Sequence, residues 1–434
     1  MKIINTKTKI PLDGQKLFLP FNNLWNQNIY YSDRPFVLSP TFIRANSTSG
    51  SPVILGKDFF IGCLNPHADA RFASDGTTLK VIPSDKQSFY YEQGNPMQAW
   101  KEYNAYVNNR MPEKDSNNVP ALKEIEYCTW VEQKKYAIMH FSDHTTTGTV
   151  NAMNDSFVDK YLARIDKMSL PHGVFTLDHG WAVNSHNFNF GQPVPDKDKF
   201  KNFSATIKRI QNAGFIPGLW FAPAFLYPDN ALFVKYPDLM GSRFNGANEG
   251  GFKFPLHYLE ATEDTRQIIL EWFTQMFKPY IEMGVRKLKI DFTYNNKSKM
   301  TKILELLYIA AKNIDASVEI EGHIPDIFAS RFQDAVRLND LVVESNPEWE
   351  QLFEDHYNVC LNSAFNTQLN LDHIGTNSPN VSEADFIKSL NQFKGKNGYP
   401  VVSLLPNHFS DSTVASLRDY LIEYKTANDV CVYA

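Results

Sequence analysis

Lys287-Leu288-Lys289-Ile290-Asp291-Phe292 is the stretch on which the reading of this chain turns. Strand alternation sends Leu288, Ile290 and Phe292 to one face and Lys289 and Asp291 to the other. A buried parallel strand is normally a near-continuous apolar run, so a Lys and an Asp sharing a face need partners or a task. At the carboxyl end of a barrel strand, such a carboxylate sits where that architecture keeps its chemistry. An internal ion pair that satisfies only itself is the competing reading.

Similar short apolar runs flank this one from about residue 121 onward. They are Ile125–Val131, Val174–Leu177, Ile216–Phe221, Val318–Glu321, Ala335–Leu338, Thr367–Leu371 and Pro400–Leu405, with Lys287–Asp291 fourth in line. Helical patterns lie between most of them: Asp155–Lys167, Lys199–Ala213, Thr262–Met283, Ser298–Asn313, Pro325–Phe332 and Ser382–Phe393, with Ser412–Lys425 closing. Ile268, Ile269, Trp272, Phe273, Met276 and Phe277 recur at helical spacing. Strand and helix alternating in this way predict an α/β chain folded as a (β/α)8 barrel. A doubly wound open sheet would carry a Gly-rich phosphate turn after an early strand, and none is present.

Residues 1–118 have a different texture. Short apolar pieces (Lys16–Leu19, Pro52–Leu55, Phe59–Cys63, Thr78–Ile82) are separated by Pro, Gly, Asn, Ser and Asp, which predicts a smaller β-rich N-terminal domain. A linker over Arg110–Pro120 would join it to the barrel, 119–434.

Composition narrows the function. A net charge of −5 argues against non-specific nucleic-acid binding. No apolar window is long enough to span a bilayer, and no apolar leader stands at the N-terminus, so the expectation is a cytoplasmic protein. The four cysteines show neither metal-ligand spacing nor a disulfide framework. Aromatics at 14% suit stacking on an uncharged sugar, or simply an aromatic core. Oligomeric state is not legible.

In a barrel the residues just beyond the strand ends meet at one mouth. Here they are Cys128-Thr-Trp130, Asp178-His179-Gly-Trp181, Trp220, Asp291, Glu321-Gly-His323, Arg337-Leu-Asn-Asp340, Asp372-His373 and Asn407. Tryptophans offer flat faces and carboxylates offer acceptors, a suitable lining for an oligosaccharide or glycoside. Each has a structural alternative: Trp130 and Trp220 as core, the histidines as hydrogen-bonded structural groups, Glu321 and Asp372 as counter-charges to Lys289 and Arg337. No His-x-His pair, His-Glu-x-x-His helix or Gly-x-Ser-x-Gly elbow is present, so no metal and no cofactor is implied. A pair of carboxylates remains, which glycoside hydrolysis requires. Lys289 would keep Asp291 ionised by its charge, while burial near Val336 and Leu338 would favour a protonated Asp340, opposed by Arg337.

These residues resemble the melibiase-type α-galactosidases of glycoside hydrolase clan D. Lys289-Ile-Asp291 is similar to that family's Lys-x-Asp, whose Asp ends the fourth strand as nucleophile. Asp178-His-Gly-Trp181 resembles its Asp-Asp-Gly-Trp turn, and Ala213-Gly-Phe-Ile-Pro-Gly-Leu-Trp220 its Gly-x-x-x-Gly-x-Trp third strand. Arg337-Leu-Asn-Asp340 resembles the segment carrying the acid/base. The resemblance implies a retaining α-glycosidase acting on an α-galactoside or related modified sugar. Asp291 would be its nucleophile and Asp340 its acid/base. Asp178, Trp181, Lys289 and Arg337 would bind substrate, with His179, Trp130, Trp220 and Glu321 beside them. The sequence departs from the family at His179, where a second Asp is usual. Glu319-Ile-Glu321-Gly-His323 also stands where the family has a Cys- and Gly-rich stretch. Two other classes stay open: a non-catalytic carbohydrate-binding barrel, and an aldolase or isomerase using Lys289 as a Schiff-base amine.

Overall fold

The computed structural model describes residues 1–15, 17–18, 37–38, 53–65, 72–84, 87–111, 119–183, 193–243, 256–293, 297–325, 327–338, 340–345, 347–363 and 367–428. Lys16, Leu19 and Pro52, most of the expected linker (112–118) and Asn339 lie outside them.

Eight parallel strands close into a barrel. In chain order they are β1 (Glu126–Cys128), β2 (Val174–Leu177), β3 (Ile216–Phe221), β4 (Lys287–Ile290), β5 (Glu319–Gly322), β6 (Ala335–Arg337), β7 (Gln368–His373) and β8 (Tyr399–Val402). Each pairs with its sequence neighbour, and β8 returns to β1 through Val402 opposite Tyr127. All eight expected strands are present. Five expected helices form nearly as read, Asp155–Lys167, Arg266–Glu282, Lys297–Ile314, Glu383–Phe393 and Asp411–Ala427, and the one expected over Lys199–Ala213 is shorter, Phe203–Asn212. Asn154, Ser382 and Ser410 accept from the third following backbone N–H and so start the helices Asp155–Lys167, Glu383–Phe393 and Asp411–Ala427.

Three departures stand out. The first strand stops at Cys128 and Trp130–Phe141 is helical, because the polar run Glu132-Gln-Lys-Lys135 offers no extended apolar face. Within the helix expected over Pro325–Phe332, the described residues form a short 3-10 turn at Ala329–Phe332. The helix Trp349–Ser363, between β6 and β7, was not anticipated. Within the link from β3 to β4, Phe225–Leu226, His257–Leu259 and Met240–Arg243 pair as a small sheet.

Ahead of the barrel stand two antiparallel sheets. One orders Lys2–Ile4, Phe89–Gln93, Phe59–Cys63, Val53–Leu55, Leu17–Phe18 and Val37–Leu38; the other orders Thr8–Pro11, Thr78–Val81 and Phe72–Ser74. The helix Pro96–Asn108 covers the first with Trp100 and Tyr103, and the Tyr103 hydroxyl donates to the Cys63 carbonyl at 2.7 Å. A Cβ at Gly62 would stand 2.4 Å from the Tyr103 ring, so only glycine fits there. Ile327, Phe328 and Val359 of the barrel belong to the same apolar cluster, which ties this domain to the barrel's flank. Among the described residues, no helix is long and apolar enough to cross a membrane.

The barrel interior positions the chemistry. On β4, Leu288 and Ile290 face the surrounding helices, while Lys287 and Lys289 point inward. Lys287 is fully buried, with its ammonium at 2.6 Å from Glu321, 2.9 Å from Glu126 and 3.0 Å from Glu319. It also donates to the Tyr399 hydroxyl at 2.9 Å. Barrel interiors are usually filled by branched apolar side chains, so this ionic layer is unusual. It lies one turn of the pleat below the mouth.

Candidate active site

Asp291 follows β4 directly and reaches the mouth of the barrel. Its backbone N–H donates to the Phe221 carbonyl at 2.8 Å, continuing the ladder with β3 for one residue. Phe292 then turns to a positive φ of 56°, and its N–H donates to Asp291 Oδ1 at 2.7 Å. Trp220, last but one on β3, donates its indole N–H to Asp291 Oδ2 at 3.0 Å. Each carboxylate oxygen therefore has a donor aimed at it, leaving the carboxylate oriented. Burial pushes its pKa up, but Arg337, His323 and Lys289 outweigh burial and hold it below the ordinary range. His323 Nδ1 stands 3.9 Å and Arg337 Nη2 4.0 Å from Asp291 Oδ1.

Lys289 makes its direct contact elsewhere. Its ammonium donates to Asp178 Oδ2 at 2.7 Å, and the Cys128 thiol donates to the same oxygen at 3.1 Å. Burial lowers the Lys289 pKa, but the facing Asp178, with Cys128 and Glu321, prevails and raises it well above the usual value. Lys289 is thus a fixed cation that holds Asp178 and contributes to Asp291 through space. Arg337 carries more of that task than the sequence suggested, because its guanidinium turns into the mouth between β4 and β7.

Arg337 is the hub of the opposite wall. Nη1 donates to Asp340 Oδ1 in a close contact and lies 3.5 Å from Asp372 Oδ1, while Nε is 3.7 Å from Glu321 Oε1. The expected contest over Asp340 is decided here. Burial raises its pKa, yet the Arg337 guanidinium above all, with Lys289 and Lys134, prevails and drives it well below the carboxylate range. Burial by itself was the wrong guide, since an arginine three residues away on the same segment reaches the carboxylate. Asp372 goes the other way. Burial and the neighbouring Asp340 push it up to about 8.

His179 stands against the third wall. Its ring stacks on Trp220 at 4.3 Å and 12° and lies parallel to Trp130 at 6.3 Å and 16°. The His179 backbone N–H donates to Asp178 Oδ1 at 2.7 Å, and the Gln133 side chain donates to the His179 carbonyl at 2.9 Å. Burial lowers its pKa to about 4, so the imidazole is neutral near neutral pH. Trp130 also receives the Lys134 ammonium over its face at 5.3 Å.

Most residues singled out in the sequence therefore converge: Asp291, Asp340, Asp178, His179, Lys289, Arg337, Trp130 and Trp220. Trp181 and Glu321 stand apart from them. The Trp181 ring is buried among Phe203, Phe221 and Tyr280 and donates to the Trp220 carbonyl at 3.0 Å, so it braces β3 from behind. Glu321 is buried beneath the mouth, accepting from Asn370 at 2.8 Å and Tyr399 at 3.1 Å, with Lys287 at 2.6 Å. Its pKa is near 2; burial opposes ionisation, but Lys287, Lys289 and Arg337 overcome it. Three groups at the mouth were not selected from the sequence. Lys134 lies on an unanticipated helix and donates to Asn377 Oδ1 at 2.8 Å. His323, paired with Thr293 at 2.7 Å, and Asp372 were noted at strand ends but left with structural readings.

No protein-family model matches the chain. Solved structures do resemble it. An α-galactosidase from Thermus thermophilus, TtGalA, in complex with p-nitrophenyl α-D-galactopyranoside, superposes with a TM-score of 0.66 at 18% identity, covering 96% of this chain and 87% of that one. The fold is that of the α-galactosidases. A GH31 α-xylosidase from a soil metagenome matches at 0.64 and 10% identity over 98% of this chain and 65% of that one. The GH36 α-galactosidase AgaA from Geobacillus stearothermophilus, with 1-deoxygalactonojirimycin bound, matches at 0.58 and 13% identity over 98% and 63%.

Proposed function

We propose that this chain is a retaining α-glycosidase of the cytoplasm, taking an α-galactoside or a related modified α-linked sugar. The observation that carries the reading is the oriented, ionised Asp291 carboxylate at the end of β4, bonded by Trp220 and by the Phe292 N–H. A nucleophile must be ionised and aimed, and Asp291 is both. Asp340 faces it across Arg337 as acid/base. Both carboxylates lie against the Arg337 guanidinium, Asp340 directly and Asp291 at 4.0 Å.

In the first step Asp291 attacks the anomeric carbon while a proton passes through Asp340 to the departing oxygen. In the second, water attacks the glycosyl ester and returns a proton to Asp340. The wall of Trp220, His179 and Trp130 supports the sugar, and Asp178, fixed by Lys289, accepts from its hydroxyls. TtGalA binds p-nitrophenyl α-D-galactopyranoside and stachyose, which favours galactose as the starting sugar. The Schiff-base alternative is disfavoured, because Lys289 is held charged against Asp178 and a Schiff-base amine must be neutral.

A panel of chromogenic α- and β-glycosides tests the reading, with proton NMR of the first-formed anomer. Hydrolysis of one α-glycoside with an initial α-anomer is expected. An initial β-anomer would overturn the double displacement, and sugar binding without turnover would make this a carbohydrate-binding barrel.

A further inference from the structure

Asp340 has a problem as an acid. A general acid must carry a proton into the transition state, yet Arg337 is bonded to Asp340 and holds it as a carboxylate. The proton has to come from elsewhere. Asp372, on the neighbouring strand β7, has an oxygen within 4.8 Å of an Asp340 oxygen, and both carboxyls share the Arg337 Nη1. Arg337 bonds Asp340 directly, and two carboxyls so close together disfavour ionisation of both. Asp340 takes the direct contact and has the more exposed side chain, at 33% against 7% for Asp372. The Asp372 Oδ1 atom is buried without a hydrogen-bond donor among the described residues, a costly place for a negative charge. Asp372 also sits at a φ of 65°, a left-handed conformation rare outside glycine, which turns its side chain away from the regular strand pattern.

We propose that Asp372 and Asp340 form one proton-holding pair, in which Asp372 stores the proton that Asp340 delivers to the leaving group. The inference rests on the glycosidase reading. Asp372 acts through Asp340 and is a positioning residue, not a catalytic one. In the first half-reaction Asp372 gives its proton to Asp340, and Asp340 gives one to the glycosidic oxygen. That C–O bond breaks as the Asp291 oxygen bonds to the anomeric carbon. In the second, water attacks that carbon, the bond to Asp291 breaks, and the water proton returns through Asp340 to Asp372. A bridging water, or rotation of the half-buried Asp340 side chain, spans the gap.

The charges facing Asp372 are Arg337 on β6 and Asp340 just beyond it, Lys289 on β4, Glu321 on β5, its neighbour His373, and Lys134 from the helix after β1. His373 is driven by burial to about 3 and is neutral, so it adds no cation to balance the pair. With burial and Asp340 raising Asp372 to about 8, the pair holds its proton below that pH and loses it above.

Infrared difference spectroscopy of the whole protein tests the pair without requiring activity. A protonated-carboxyl C=O band should disappear as pH rises through about 8, and Asp372→Asn should abolish that titration. In kinetics, Asp372→Asn should cost natural glycosides on the order of 10²–10³-fold in kcat and activated aryl glycosides less than about tenfold, with the alkaline limb lost. Asp372→Glu should restore the limb. Absence of the infrared band, or equal losses on both substrate types, would overturn the proposal. If the unaltered protein hydrolyses no glycoside, the glycosidase reading and the proton-delivery role fall, while the band still reports whether the pair shares a proton.

Discussion

Replacing Lys287 by Met tests the ionic layer on which the mouth rests. In the folded protein the ammonium is in contact with Glu126, Glu319 and Glu321 and is completely buried. Methionine matches its length but removes the cation in direct contact with all three carboxyls. Removing one partner of a buried ion pair costs about 3–5 kcal/mol. The carboxyls have a way out, which is to bind protons. Glu319 already leans that way, burial raising it to about 7 despite Lys287, and Glu126 is raised as well. Without Lys287 these folded-state pKa values rise further, while the unfolded values stay near that of a free carboxyl group. The folded variant then binds more protons than the unfolded chain, so its stability falls as pH rises above the unfolded value. One extra bound proton costs about 1.4 kcal/mol per pH unit, or about 4 kcal/mol between about pH 5 and about pH 8. That agrees with the cost of an orphaned buried charge. For a chain of this size the loss corresponds to a Tm drop of roughly 8 °C near pH 8, at about 2 °C per kcal/mol, and to little near pH 5. Thermal unfolding of both proteins at the two pH values measures it, and Lys287→Met/Glu319→Gln should recover part of the loss. Equal Tm drops at both pH values would refute the reasoning, since the penalty would then come from packing and not from unpaired charge.

Other substitutions probe the mouth. Asp291→Asn should keep the fold but lower turnover by several orders of magnitude, with azide restoring part of the rate on activated glycosides; normal turnover in a folded variant would remove Asp291 as nucleophile. Asp340→Ala should harm natural glycosides far more than activated aryl ones, and a uniform loss would leave it only a binding role. Trp220→Phe removes the indole donor to Asp291, a charged hydrogen bond of about 1.5–3 kcal/mol, so the acid limb of kcat/KM should move up by about one to two pH units. His179→Asp should shift preference toward unmodified α-galactosides by about 1–3 kcal/mol, read as the ratio of kcat/KM values. With His179 near 4, the unaltered protein's preference should not change with pH above about 5.

The barrel, and the strand ends that carry Asp178, Asp291, Arg337 and Asp372, were determined by the sequence alone. A buried strand needs only a short apolar run bounded by turn residues, and helix starts such as Asn154 and Ser382 are equally local. Helices without a clean apolar stripe escaped that logic. Trp130–Phe141 buries Glu132 and Gln133, which only tertiary partners can satisfy: the Leu405 N–H donates to Glu132 at 2.7 Å, and Gln133 donates to the His179 carbonyl at 2.9 Å. Only the closed barrel decided which charge meets which. Lys289 stands two residues from Asp291, yet it bonds Asp178, 111 residues away. Arg337 was expected to oppose a protonated Asp340, but that it would prevail, leaving the proton to Asp372, depended on how deeply each carboxyl is buried. Trp181 and Glu321 carry the right residue types at the right strand ends, but one ring packs behind β3 and the other carboxylate points down to Lys287. Chain position sets where a side chain starts. In a low-dielectric interior, the nearest opposite charge across the barrel sets where it ends and whether it keeps its proton.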